Sequence, residues 1–172
     1  MWVVWLLLFL LSPPALADAI ADAKQLLRVS NTEDHFQALA ADQVRDIIRT
    51  YSSIVSMTVD VRLPREVTSN IADCYARVYA WENFEQGIAE IIAEQLSQKE
   101  ILLLTDFYQD LSLPPMEIDT FKGAIAKAPQ LERVSADYIF SHSGNCVEHS
   151  SLAIRRYLSE HYDLQDLLSA DS

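Results

Sequence analysis

Apolar residues recur every three or four positions along most of the chain, and this spacing predicts α-helices. The most apolar stretch runs from 96 to 111, where Ser97 and Glu100 form the capping box of a helix N-terminus. Its apolar positions are Ile101, Leu102, Leu103, Leu104, Phe107, Tyr108 and Leu111. They cover more than one face, so we expect this helix to need neighbours on most sides and to lie at the centre of the fold.

Other segments on both sides of the central helix have the same period. Ile54 to Val61 is rich in β-branched residues and could form a strand, but the chain has no second run to pair with it, so we interpret it as a helix end and a loop. The predicted helices begin near Ala19, Ser30, Pro64, Asn83, Ser97, Pro115, Pro129 and Cys146. The sequence thus predicts an all-α fold, a single-domain orthogonal bundle of about seven or eight short helices.

Turn residues support the same fold class. The chain has three glycines, whereas turn-rich β-sandwiches and phosphate-binding α/β folds need more. Pro114 and Pro115 separate the central helix from the next one, because two prolines cannot lie inside a helix. Asn83 is expected to cap the fourth helix and Gly87 to weaken it slightly.

The first seventeen residues have the pattern of a signal peptide. An apolar run of ten residues, 2–11, is followed by Ser-Pro-Pro and then by Ala-Leu-Ala, which ends at Ala17. The run is short for a membrane span, and small residues at these two places favour cleavage between Ala17 and Asp18. The n-region has no Lys or Arg, so an uncleaved N-terminal anchor is the alternative.

Cleavage would leave a helical domain at 18–162 and an acidic tail at 163–172, with no further stretch able to span a membrane. The chain has 13 Lys and Arg against 25 Asp and Glu, a net charge of -12. This charge repels phosphate backbones and anionic lipids, so nucleic acid is excluded as a partner. Solubility is the simplest reason for the charge, although a basic partner or a cation is compatible with it.

Three segments carry a resemblance to a known family. Residues 96–108 run Leu, Ser, two residues, Glu, an aliphatic residue and finally Phe-Tyr, which resembles the hallmark of the bacterial exported family called domain of unknown function 2059. Residues 23–27 (AKQLL) resemble its first helix, and residues 127–131 (KAPQL) resemble its Lys-x-Pro-x-Leu segment. The resemblance implies a periplasmic, all-helical protein with no established activity and no catalytic residues to carry over.

Cys74 and Cys146 are the two cysteines of the chain. In an oxidising compartment two thiols are expected to pair, which would tie the third helix to the start of the last one. The alternative is a buried Cys74 on an apolar stripe and a free Cys146.

A candidate metal site competes with this disulfide. His142, Cys146 and His149 lie within eight residues, HSGNCVEH, and zinc favours nitrogen and sulfur ligands. The alternative is a polar helix start with Asn145 as the cap. A Cys-His nucleophile is a third interpretation, but the segment supplies no orienting group or oxyanion site.

Aromatic residues cluster around the joint between the third and fourth helices. Tyr75, Tyr79, Trp81 and Phe84 could simply pack in the core. They could also line a groove that faces a ligand or a partner, because Tyr and Trp bury a ring while keeping a polar end in water.

The chain contains no convergent set of catalytic residues and no cofactor motif. We therefore expect a non-catalytic binding or protein-interaction module of the bacterial cell envelope, located in the periplasm, with a protein or small molecule as its partner. The alternatives are a metal-binding protein that uses the His142, Cys146 and His149 cluster, and a structural or chaperone-like envelope protein. An exposed apolar groove would favour the last of these.

Overall fold

The computed structural model describes residues 14–162. The apolar run of the expected signal peptide and the acidic tail at 163–172 lie outside the described residues. Ala17 and Asp18, on either side of the expected cleavage site, are both exposed in the first turns of the first helix.

Residues 14–162 form eight α-helices and contain no β-strand, which confirms the all-α class. The helices are α1 (Pro14–Val29), α2 (Thr32–Val59), α3 (Arg65–Val78), α4 (Glu85–Gln95), α5 (Gln98–Asp110), α6 (Ile118–Ala126), α7 (Ala128–His142) and α8 (Cys146–His161). Short 3₁₀ turns at Trp81–Asn83 and Pro115–Glu117 precede α4 and α6. None of the helices described is both long and apolar enough to cross a membrane.

The β-branched segment after Ile54 is helical as far as Val59. Val55 is buried in a core cluster that Val59 also contacts, so tertiary packing outweighs the weak preference of these residues for strands. Asp60 then ends the helix with a positive φ of 50°.

The helices group into two compact units, neither of which is continuous in sequence. Of the described residues, the first unit comprises 14–32 and 85–140, and the second comprises 33–84 and 141–162. The chain therefore leaves each unit and returns to it, and no linker-like composition marks these crossings.

In the first unit, α1 packs against α4 and α5. The capping box predicted at the start of α5 is confirmed, because the Ser97 hydroxyl accepts from the Glu100 N–H while the Glu100 carboxylate accepts from the Ser97 N–H. The buried apolar side chains of this unit are Ala23, Leu26, Leu27, Ile88, Ala89, Ile91, Ile92, Leu96, Ile101, Leu103, Leu104 and Ala124.

The prediction that α5 is surrounded on most sides is wrong for its last turn and for one position, Leu102, in its first half. Leu102 and Tyr108 are exposed, and Leu111, which ends the helix in the left-handed conformation, is 73 % exposed. Phe107 is covered in part by Phe121 of α6, with 4.8 Å between the ring centroids. The neighbours of α5 thus cover one face of its first two turns and leave its last turn largely exposed.

A buried carboxylate joins α5 to the end of α6. The Nζ atom of Lys127 lies 2.8 Å from Oε2 of Glu100, which also accepts from the hydroxyl and the N–H of Ser97. Burial alone would raise the pKa of Glu100, but these hydrogen bonds outweigh it and hold the pKa below its ordinary value. Glu100 is therefore ionised in the native protein at neutral pH.

This pair predicts a loss of stability in acid. The pKa of Glu100 is lower in the native protein than in the unfolded chain. The ionised carboxylate therefore makes its full contribution to the free energy of unfolding above about pH 4.3, and this contribution is lost as the pH falls through the native pKa. Lys127 is partly exposed, so we expect the contribution to be only about 1 kcal/mol. Urea unfolding at pH values from neutral to 3 measures this effect. The free energy of unfolding should fall less with decreasing pH for Glu100→Gln and Lys127→Met than for wild type. Lys122→Met, on α6, should keep the wild-type pH profile, and a steep loss in Glu100→Gln would contradict the assignment.

In the second unit, α3 packs against α8, and the end of α2 contributes to the same core. The buried members of this core are Val55, Val61, Val67, Ile71, Tyr75, Cys146 and Ile154. On α8, Ile154 is buried in this core, whereas Val147 is 61 % exposed although it is apolar.

Candidate functional site

A groove of about 500 Å³ lies between α2 and α3, and we call it the aromatic groove. Small alanine side chains on both helices leave the space open, and aromatic rings from α3 and the following turn line it. Its residues are Gln37, Ala40, Ala41, Val44, Arg45, Ala72, Tyr75, Ala76, Tyr79, Ala80, Trp81 and Glu82. It lies wholly within the second unit.

Of the aromatic residues singled out in the sequence, Tyr75, Tyr79 and Trp81 line this groove. Phe84 does not line the groove, because its side chain is 0 % exposed. Its ring packs behind Tyr79, with 6.4 Å between the ring centroids. The ring of Phe36, at the start of α2, packs 5.4 Å from both Trp81 and Phe84. Phe84 therefore belongs to the core alone. Tyr75 and Trp81 are buried and also border the groove, and Tyr79 is the half-buried ring of its wall.

Burial, hydrogen bonds and ring stacking hold Tyr75 in place in the wall of the groove. The pKa of Tyr75 is raised to about 12, mainly by burial and to a smaller extent by a hydrogen bond with Tyr51. A hydrogen bond with Ser150 acts in the opposite direction. Its phenol therefore stays neutral. Its ring stacks against Tyr79, with 6.2 Å between centroids and 9° between planes.

The 3₁₀ turn after α3 positions Trp81. Asn83 does not cap α4 as predicted; its Nδ2 atom donates to the carbonyl oxygens of Arg77 and Val78, at 2.8 and 3.1 Å. These carbonyl oxygens belong to the last turn of α3, where no N–H group of the same helix is available to donate to them. The Asn83 amide satisfies them instead of capping the N-terminus of α4. The turn is held against α3, and Trp81 is buried beside the groove.

Two charged residues line the groove. Arg45 forms an ion pair with Asp42, one turn earlier on α2. Glu82 makes no hydrogen bond or ion pair with any residue in 14–162. The groove thus combines an apolar, aromatic interior with one neutralised cation and one uncompensated carboxylate.

The cysteines pair as predicted. The sulfur atoms of Cys74 and Cys146 are 2.06 Å apart, and the bond joins α3 to the first residue of α8. Cys146 is 1 % exposed.

The structure does not assemble His142, Cys146 and His149 into a metal site. The sulfur of Cys146 is bonded to Cys74, and Nε2 of His149 lies 2.6 Å from Oδ1 of Asn70. Nowhere in residues 14–162 do three His, Cys, Asp or Glu side chains come close enough to hold a metal ion. Asn145 precedes α8 without a side-chain cap bond, and its amide donates to Glu148 instead.

A second cavity of about 760 Å³ lies between α3 and α8 and is lined in part by His149, His161 and Arg156. The polar side chains of its α8 wall are already engaged, although Glu66 on α3 is not engaged by any residue in 14–162. Arg156 is paired with Glu160 at 2.9 Å, and Nδ1 of His161 lies 2.9 Å from the Tyr157 carbonyl oxygen. The aromatic groove is therefore the better candidate for a ligand site.

Comparison with protein-family models, with curated proteins and with solved structures found no match. The relationship to domain of unknown function 2059 stays a prediction. In the structure, two of the segments on which it rests meet through the ion pair of Glu100 with Lys127.

Proposed function

We propose that this protein is an exported, non-catalytic binding module whose ligand occupies the aromatic groove. The observation that carries the proposal is the groove itself, which combines a volume of about 500 Å³ with mainly apolar lining and few polar groups. Ligand sites in proteins have volumes of roughly 300–1,000 Å³ and the same kind of lining. Because Tyr75 is held in place in the wall, less ordering is needed on binding.

Export to the bacterial periplasm is part of this proposal. A disulfide persists in oxidising compartments, and the apolar run before Ala17 has the composition of a signal peptide. Intact mass of the protein recovered from the periplasm tests this point, because cleavage after Ala17 would leave Asp18 as the first residue.

Binding is tested with a neutral apolar probe, N-phenyl-1-naphthylamine, whose fluorescence rises on leaving water. Titrating it into the full chain should give saturable binding, and Tyr79→Ala should weaken the affinity by about tenfold because one aromatic wall is lost. The proposed cleavage after Ala17 removes Trp2 and Trp5, so Trp81 is then the single tryptophan and its emission reports occupancy of the groove directly.

The matched control is Tyr108→Ala, which removes an exposed tyrosine from α5 in the first unit. It should bind the probe as wild type does. Equal weakening in both variants, or no change in Trp81 emission on saturation, would contradict the groove as the binding site.

A further inference from the structure

We infer that the occupant of the aromatic groove is a cationic amphiphile, a small molecule with a positively charged head group beside an apolar body. This inference rests on the proposed function, because it names the ligand class of the same groove.

The charge of the groove is the first reason. Of its two charged lining residues, Arg45 is neutralised by Asp42, whereas the carboxylate of Glu82 has no partner in residues 14–162. A cationic head group would compensate this charge, while an anionic one would meet both Glu82 and a chain of net charge -12.

The aromatic lining is the second reason. The faces of Trp and Tyr rings attract cations that lie within about 6 Å of the ring centroid. Tyr75, Tyr79 and Trp81 line this groove. Tyr75 and Trp81 are only 6 % and 5 % exposed, so the half-buried ring of Tyr79 is the most accessible of the three. Trp81 and Glu82 are consecutive in the same 3₁₀ turn, so an aromatic residue and a carboxylate border the same end of the groove.

The rest of the lining suits an apolar body. Ala40 and Val44 of α2 and Ala72 of α3 offer methyl groups and no charge. A ligand with an alkyl or aromatic body would bury that surface while its head group stays beside Glu82.

The test compares two ligands that share an alkyl chain and differ in the net charge of the head group. Decyltrimethylammonium and decyldimethylamine N-oxide have the same chain and similar head groups, but the N-oxide is neutral overall. Calorimetric titration into the full chain at low salt and pH 8, below micelle-forming concentrations, should give at least tenfold tighter binding of the cation. Glu82→Gln should lower the affinity for the cation by about fivefold and leave the affinity for the N-oxide unchanged.

Glu94→Gln is the control, because it removes the same unit of charge from an exposed position on α4 that does not line the groove. It should bind both ligands as wild type does. Equal losses in Glu82→Gln and Glu94→Gln would show general attraction to an acidic protein and overturn the inference. Equal affinities of wild type for the two ligands would also overturn it while leaving the proposed function standing. If neither ligand nor the neutral naphthylamine binds, both fail.

Discussion

The double variant Cys74→Ala/Cys146→Ala is expected to lose about 4 kcal/mol of unfolding free energy, the largest effect of any substitution considered for this protein. The bond joins residues 72 positions apart, and a cross-link that closes so long a loop removes much of the entropy of the unfolded chain. Cys146 also packs in the core of the second unit beside Ile71 and Ile154. Alanine at that position would leave the core slightly underpacked.

The loss should fall on the second unit. Its two segments, 33–84 and 141–162, are separated in sequence by residues 85–140 of the first unit. Without the bond, α8 must find α3 across that whole insertion. Packing of α3 on α8 would then depend on noncovalent contacts alone.

The measurement is urea unfolding, monitored by circular dichroism and by the emission of Trp81, the single tryptophan that the proposed cleavage after Ala17 leaves. Wild type in reducing buffer should lose nearly as much stability as the double variant, because both lack the cross-link. The variant should also have a midpoint that no longer depends on the reductant. Identical midpoints for oxidised wild type and the double variant would contradict a stabilising disulfide.

Local signals in the sequence were sufficient for much of the fold. The start of α5 was predictable because both members of its capping box, Ser97 and Glu100, lie within one turn. The pairing of Cys74 with Cys146 was predictable because no third cysteine competes. In both cases few alternatives exist, so residue type and spacing suffice.

Features that depend on distant partners could not be predicted. Periodicity shows which face of a helix is apolar, but Tyr108 and Val147 are exposed because no neighbour in the described chain covers them. The pairing of Glu100 with Lys127 spans 27 residues and has no sequence pattern. The two units could not be recognised in the sequence either. Each is assembled from separate segments, and the amino-acid composition does not change where the chain crosses between them.

Only one of the two walls of the aromatic groove could be predicted from the sequence. Its aromatic wall could be recognised because Tyr75, Tyr79 and Trp81 lie close together in sequence. The opposite wall comes from α2, where Ala40 and Ala41 contribute by being small, and small side chains in a helix give no distinctive signal.

Gly87 was expected to be only a mild weakness of α4, whereas the structure makes it a point of close packing. A Cβ atom added there would overlap the ring of Tyr138 of α7, including its Cζ and hydroxyl oxygen. Gly87 is itself buried, so the ring must move out for any larger residue to fit. We therefore expect Gly87→Ala to lower the free energy of unfolding by about 1–3 kcal/mol, although alanine is the better helix former.

Gly123→Ala is the matched control, because this glycine also lies inside a helix of the first unit, α6. The nearest atom to its added Cβ is Oε1 of Glu100 at 4.0 Å, so alanine fits there and should stabilise the protein by up to about 1 kcal/mol. Thermal and urea unfolding of both variants should thus show shifts of opposite sign.

Adding Tyr138→Ala to Gly87→Ala separates the clash from helix propensity, because alanine at 87 should no longer destabilise once the ring is absent. A Gly87→Ala protein as stable as wild type would instead show that Tyr138 moves aside freely, and α4 and α7 would then not be held together at this point.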